Sequence, residues 1–92
     1  MKTNFQMLRQ LDEFQPKEFG IISEQEVKLI KETLCLEEMD ELALRNLRDF
    51  TVLYCNCQID DSDLQDERAI IDKMSAVTYV IDSELFMKGC EV

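Results

Sequence analysis

The chain has 92 residues, 46% of them hydrophobic, and a net charge of −10 from 20 acidic and 10 basic side chains. That length holds one core, so residues 1–92 are expected to form a single domain, and the apolar fraction excludes an intrinsically disordered chain because burial can offset the entropy of ordering. The negative field repels phosphate backbones and anionic lipid surfaces, and the basic residues are scattered from Lys2 to Lys88, which argues against direct nucleic-acid or membrane binding.

Two glycines and one proline are too few for the many tight turns of a small all-β domain, so the chain should use few, long elements, which means helices. The first is expected from about Asn4 to Phe14, capped by Thr3 or Asn4, with Met7, Leu8, Leu11 and Phe14 on one side. This opening stretch has no continuous apolar core and does not read as a signal peptide. No stretch reaches the roughly 20 apolar residues of a membrane span. The expected compartment is the cytoplasm, where thiols stay reduced and the cysteines form no disulfide framework.

Pro16 and Gly20 bracket a connection to the second helix. There "ISEQEV" places Ser23 at the N-cap and Glu26 three residues on, a capping box, with Ile22 and Val27 positioned as a hydrophobic staple. Val27, Ile30 and Leu34 give its apolar stripe, and it should end near Cys35 or Leu36. The third helix is expected to begin near Glu37, where "LEEMDE" puts acids at the positive end of the helix dipole. Its predicted apolar face is Leu36, Met39, Leu42, Ala43, Leu47, Phe50, Leu53, Tyr54 and Cys57, with polar Asn46 on the same side. The fourth should be capped by Asp60 or Ser62, stapled by Ile59 and Leu64, and stopped by Gly89 after Lys88. Leu64, Ile70, Ile71, Met74, Val77, Thr78, Ile81 and Leu85 form its main apolar face.

The fold class that follows is all-α, a small bundle built on a long antiparallel hairpin (about 37–58 and 61–88) with two shorter N-terminal helices. An α+β alternative puts strands at 50–55 and 76–81, since both segments are rich in β-branched and aromatic residues. Neither shows strict alternation, and the helical period runs through both.

Little in the sequence points to chemistry. The chain has no histidine, which removes the commonest general base, and no nucleophile elbow or glycine-rich phosphate loop is present. The expectation is a non-enzymatic protein with no cofactor. The Cys55–Asn56–Cys57 pair could suggest a metal or redox site. Residues two apart on a helix are separated by about 200° around its axis, however, so the two sulfurs cannot share a metal. The expectation is that Cys57 packs in the core near Met39, Phe50 and Tyr54 and that Cys55 lies opposite. "DDSDLQDE" resembles a calcium loop, yet Asp66 stands where the loop needs glycine and Asp72 where it needs glutamate.

Two surfaces are left as candidates. On the back of the fourth helix, Ala69, Ala76, Val80 and Met87 make a second stripe, with Tyr79 and Phe86 between it and the main face. Apolar residues on more than one side of a helix signal burial on more than one side, by the rest of the chain or by a partner. The acids Glu37, Glu38, Asp40 and Glu41, and then Asp60, Asp61, Asp63, Asp66 and Glu67, form two dense groups. The expected function is a small acidic regulator, adaptor or inhibitor that binds a protein partner and self-associates through its C-terminal helix as a homodimer. The alternative is an acidic mimic of nucleic acid that blocks a DNA- or RNA-binding protein. A thiol-bound metal or redox sensor is a third reading.

Overall fold

In the computed structural model, which describes residues 3–12, 14, 22–61 and 63–89, a polar side chain caps the start of every α-helix. The side chain of Thr3 accepts the Gln6 N–H at 3.2 Å and the Gln6 side chain accepts the Thr3 N–H at 2.9 Å, opening α1 (Asn4–Arg9). Ser23 and Glu26 form the same reciprocal box ahead of α2 (Glu24–Leu34). Asp40 accepts from Ala43 at 2.8 Å ahead of α3 (Glu41–Asp60), and Asp63 accepts from Asp66 at 3.0 Å ahead of α4 (Leu64–Met87). Each cap satisfies a backbone donor that no helical carbonyl can reach.

Among the described residues all regular structure is helical, and the all-α expectation holds. The segments 50–55 and 76–81, considered as strands, lie inside α3 and α4. Several boundaries differ from expectation. α1 stops at Arg9 instead of Phe14, because the chain tightens there into bonds three residues apart, from Leu11 to Leu8, Asp12 to Arg9 and Phe14 to Leu11. Leu36–Glu38 is a separate 3-10 turn, and α3 starts only after the Asp40 cap. Neither Asp60 nor Ser62 caps α4: Asp63 does, Asp60 closes α3, and Ser62 lies outside the described residues. The connection from Pro16 to Gly20 and the Leu64 side chain of the expected staple lie outside them too.

α4 sets the size of the molecule. Its 24 residues span about 36 Å at the helical rise, against a longest extent of 38 Å. It packs on α2, α3 and the 3-10 turn, while α1 lies across α2 and α3. The core gathers Met7, Leu8, Leu11, Ile30, Leu34, Leu36, Leu44 and Leu47 around Ala76, Val77, Val80, Ile81 and Leu85. It therefore sits at the open end of the α3–α4 hairpin. Towards the tip, none of the described residues between 56 and 75 is buried.

α3 turns a different face inward from that expected, and α4 a wider one. The buried line of α3 is Leu44, Leu47, Thr51 and Cys55, rotated by about 100° from the predicted stripe. Leu42 and Leu53, expected inside, are exposed. On α4 the buried arc combines Val77, Ile81 and Leu85 with Ala76 and Val80, two residues assigned to the outer stripe. The α2 helix and the 3-10 turn cover that side of α4, so its second stripe is largely satisfied within the chain.

α2 ends on Cys35 in the left-handed region, φ 54°, a conformation that a β-carbon disfavours. Cys35→Gly is expected to stabilise the fold by about 0.5–1 kcal/mol, the relief of that strain less the extra entropy of glycine in the unfolded chain. Urea unfolding of the two proteins measures it, and an unchanged midpoint would show that the strain is absent.

Candidate interaction surfaces

The polar side chains at the helix contacts act first as ties. Arg48 on α3 meets Asp82 on α4 at 2.7 Å, and Lys31 on α2 reaches Glu84 on α4 at 3.6 Å. Glu84 is only 6% exposed, so Lys31 supplies the charge that lets an acid sit in the buried arc of α4. Lys73 donates to the Asp12 carbonyl at 2.8 Å, and the Tyr54 hydroxyl donates to the Asp12 carboxylate at 2.8 Å. Phe5 packs edge-on against Tyr54 with ring centroids 5.7 Å apart. Tyr54 thereby fastens both ends of the α1 segment to α3.

The cysteines sit opposite to expectation. Cys55 is 3% exposed and Cys57 is exposed, because the inward face of α3 is the Leu44–Leu47–Thr51–Cys55 line. The helical separation of the two sulfurs stands, with the roles exchanged. Burial pushes the Cys55 thiol up, with Lys73 opposing and Asp12 adding to the shift. Cys35 is exposed at the end of α2, and Cys90 lies outside the described residues. Among the described residues no group of three Cys, Asp or Glu side chains is placed to hold a metal ion.

The acidic candidates divide by position. Glu37 and Glu38 are exposed on the 3-10 turn. Asp40 is a cap and Glu41 is paired with Arg45 at 2.9 Å. Asp63, Asp66 and Glu67 occupy the cap and first turn of α4, where acids complement the helix dipole. Asp60 and Asp61 differ. They are exposed at the C-terminal end of α3, whose last turn carries no basic residue, and acids there oppose the dipole. The two groups stand about 30 Å apart along α3, as the helical rise requires.

Of the outer-stripe candidates, Ala76 and Val80 are buried in the core and Ala69 is half-buried. Tyr79, Phe86 and Met87 stay exposed, at 59%, 75% and 71%. Sequence reasoning missed Leu53 and Phe5 as surface residues. With Phe50, Tyr54, Cys57, Gln58 and Asp61 they line an open groove of about 370 Å³ between α1 and α3. A larger groove, about 560 Å³, runs between α1, the end of α2 and the start of α3, past Met7, Thr33, Cys35 and Met39. No described helix is long and apolar enough to cross a membrane. Comparison with protein-family models, with characterised proteins and with solved structures returns no match.

Two outcomes test this geometry. Burial and the bond to Asp12 raise the Tyr54 hydroxyl from 10.0 to about 12. The protonated form therefore favours the folded state, so this contribution is intact below pH 10 and lost as the pH climbs towards about 12. Urea unfolding of Tyr54→Phe should lose less stability over that window than the parent chain, and equal losses would contradict the assignment. Under native conditions a thiol reagent should label Cys35 and Cys57 quickly and Cys55 only once urea opens the fold; mass mapping that finds Cys55 labelled with Cys57 would refute the burial.

Proposed function

We propose that the chain is a non-enzymatic protein–protein interaction module that pairs with a second copy of itself through the outer face of α4. The supporting observation is the exposure of Tyr79 and Phe86 on the outer side of α4, with Met87 exposed at its C-terminal end. Aromatic and Met side chains are enriched as interface anchors, and a cluster of them on a monomer surface marks a contact site. The outer line of α4 is Arg68, Ser75, Tyr79 and Phe86, within about 40° around the axis. Asp72 and Asp82 stand about 20° to either side of that line, the latter engaged by Arg48 at 2.7 Å.

The spacing favours a second copy as the occupant. Two α4 helices crossing antiparallel about residue 77 bring Ser75 opposite Tyr79, Arg68 opposite Phe86, and Asp72 opposite an Asp82 that Arg48 engages within its own copy. A guanidinium over an aromatic face adds a cation–π contact on each side of the two-fold. Ala76 and Val80 take no part in this pairing, since both belong to the core. Ala69 is at its margin.

The acidic-mimic reading is weaker, because Asp40 and Asp63 are engaged as caps and Glu41 with Arg45. In a reducing cytoplasm, where we place the protein, the exposed thiols would stay free and take no part in assembly.

Sedimentation or light scattering should give twice the 10.8 kDa monomer mass. Because each copy is strongly negative, added salt should strengthen pairing by screening the repulsion. Phe86→Glu should weaken pairing by about tenfold or more, the loss expected for a central aromatic anchor. A wild-type chain that stays monomeric to millimolar concentration removes the self-association.

A further inference from the structure

The groove between α1 and the C-terminal half of α3 lies on a different helix from the α4 face and has different chemistry. Phe5 (47% exposed) and Leu53 (63% exposed) stand at its sides, over Tyr54 and Cys57, with Asp61 at one end. Its volume, about 370 Å³, suits one or two side chains of an incoming segment, since whole small-molecule sites start at roughly 300 Å³. The groove is permanent in outline because Tyr54 is held from both sides, by Phe5 and by Asp12.

Acids outnumber bases around it. Asp49 and Asp60 are exposed on the same outer side of α3 as Leu53, about one and two turns away, and Asp61 lines the groove itself. Past Arg48 α3 has no basic residue, so its exposed C-terminal carbonyls and these carboxylates add to one negative potential. Arg9 acts on Tyr54 from α1 as the opposing charge. A second copy fits this place poorly, because every copy brings further negative charge.

We infer that this groove docks a cationic amphipathic segment of a partner protein, with an apolar side chain between Phe5 and Leu53 and a Lys or Arg beside it at Asp60 and Asp61. Such a partner would compensate an α3 terminus whose last turn carries no basic residue. The inference is independent of pairing through α4: the sites are separate, and salt acts on them in opposite directions.

The test is a titration of the full chain with a labelled helical peptide of leucines and lysines, and with its twin in which every lysine is glutamate. The lysine peptide should bind saturably and more weakly as salt rises, and the glutamate twin should not bind. Leu53→Ser, at an exposed position that folding does not need, should reduce affinity about fivefold or more, as truncation of an apolar anchor does. Asp60→Asn with Asp61→Asn should do the same and flatten the salt dependence. Phe86→Ser, on α4, should leave the affinity unchanged, so a failed dimer cannot be mistaken for a failed groove. Absence of saturable binding, equal binding by Leu53→Ser, or loss of binding in Phe86→Ser alone would each overturn the proposal.

Discussion

Everything in this fold leans on the buried arc of α4 between Ala76 and Leu85. α2, α3 and the 3-10 turn all pack on that helix, and its inward side chains span roughly half of its circumference. An arc that wide must include position 84, which is a glutamate. A carboxylate at 6% exposure is tolerable only with a counter-charge in reach, and Lys31 comes from α2 to supply it. The same pairing explains why α2 lies where it does. Ile30 and Leu34, flanking Lys31 on that helix, enter the core while Lys31 lies against α4. Arg48 and Asp82 repeat the arrangement between α3 and α4 with a shorter contact and more exposure.

The existence and order of the helices were legible because they rest on local chemistry. The capping box at Ser23, a cap at Thr3 or Asn4 and the scarcity of glycine and proline are statements about a few neighbouring residues, and they need no partner to be true. Which face of a helix turns inward is a different kind of fact. α3 carries apolar residues around most of its surface, from Leu42 to Leu44 and from Leu53 to Cys55, so its periodicity admits more than one seam. Thr51 decided the matter against expectation. Its hydroxyl donates to the Leu47 carbonyl at 2.7 Å, which satisfies the polar group inside its own helix and leaves a methyl for the core. The predicted seam ran through Phe50, Leu53 and Tyr54 and passed Thr51 by, and Cys55 and Cys57 exchanged places as a result. Ala76 and Val80 were misplaced for a related reason: a helix that several elements cover has no single stripe.

The surplus of acids is placed more economically than the net charge suggests. Asp40 and Asp63 satisfy backbone donors at helix N-termini, and Glu41 and Asp66 in the first turns complement the dipole. Those positions make acidity a folding device and weaken any reading in which the whole negative surface serves a ligand. Asp60 and Asp61 are the exception, because they stand at the wrong end of α3 for that purpose. A local arrangement that works against the fold is where a role outside the fold is worth seeking.

The hairpin separates these demands in space. Its open end is closed by α1, α2 and the 3-10 turn and carries the core. Its tip has no buried residue among those described and holds Asp60, Asp61, Asp63, Asp66 and Glu67, with Arg68 as the nearest base in sequence. A tip with so little packing contributes less to stability than the open end, so its sequence is free to serve a surface. The apolar residues left outside follow the same division. Phe86 and Met87 lie where α4 runs past its covering helices, and Leu53 lies where α3 heads for the tip. Pairing through the first would bring like charges together and is helped by salt. Docking at the second would bring opposite charges together and is opposed by it. The two proposed contacts would thus be kept distinct by the chain's own electrostatics, through their opposite dependence on salt.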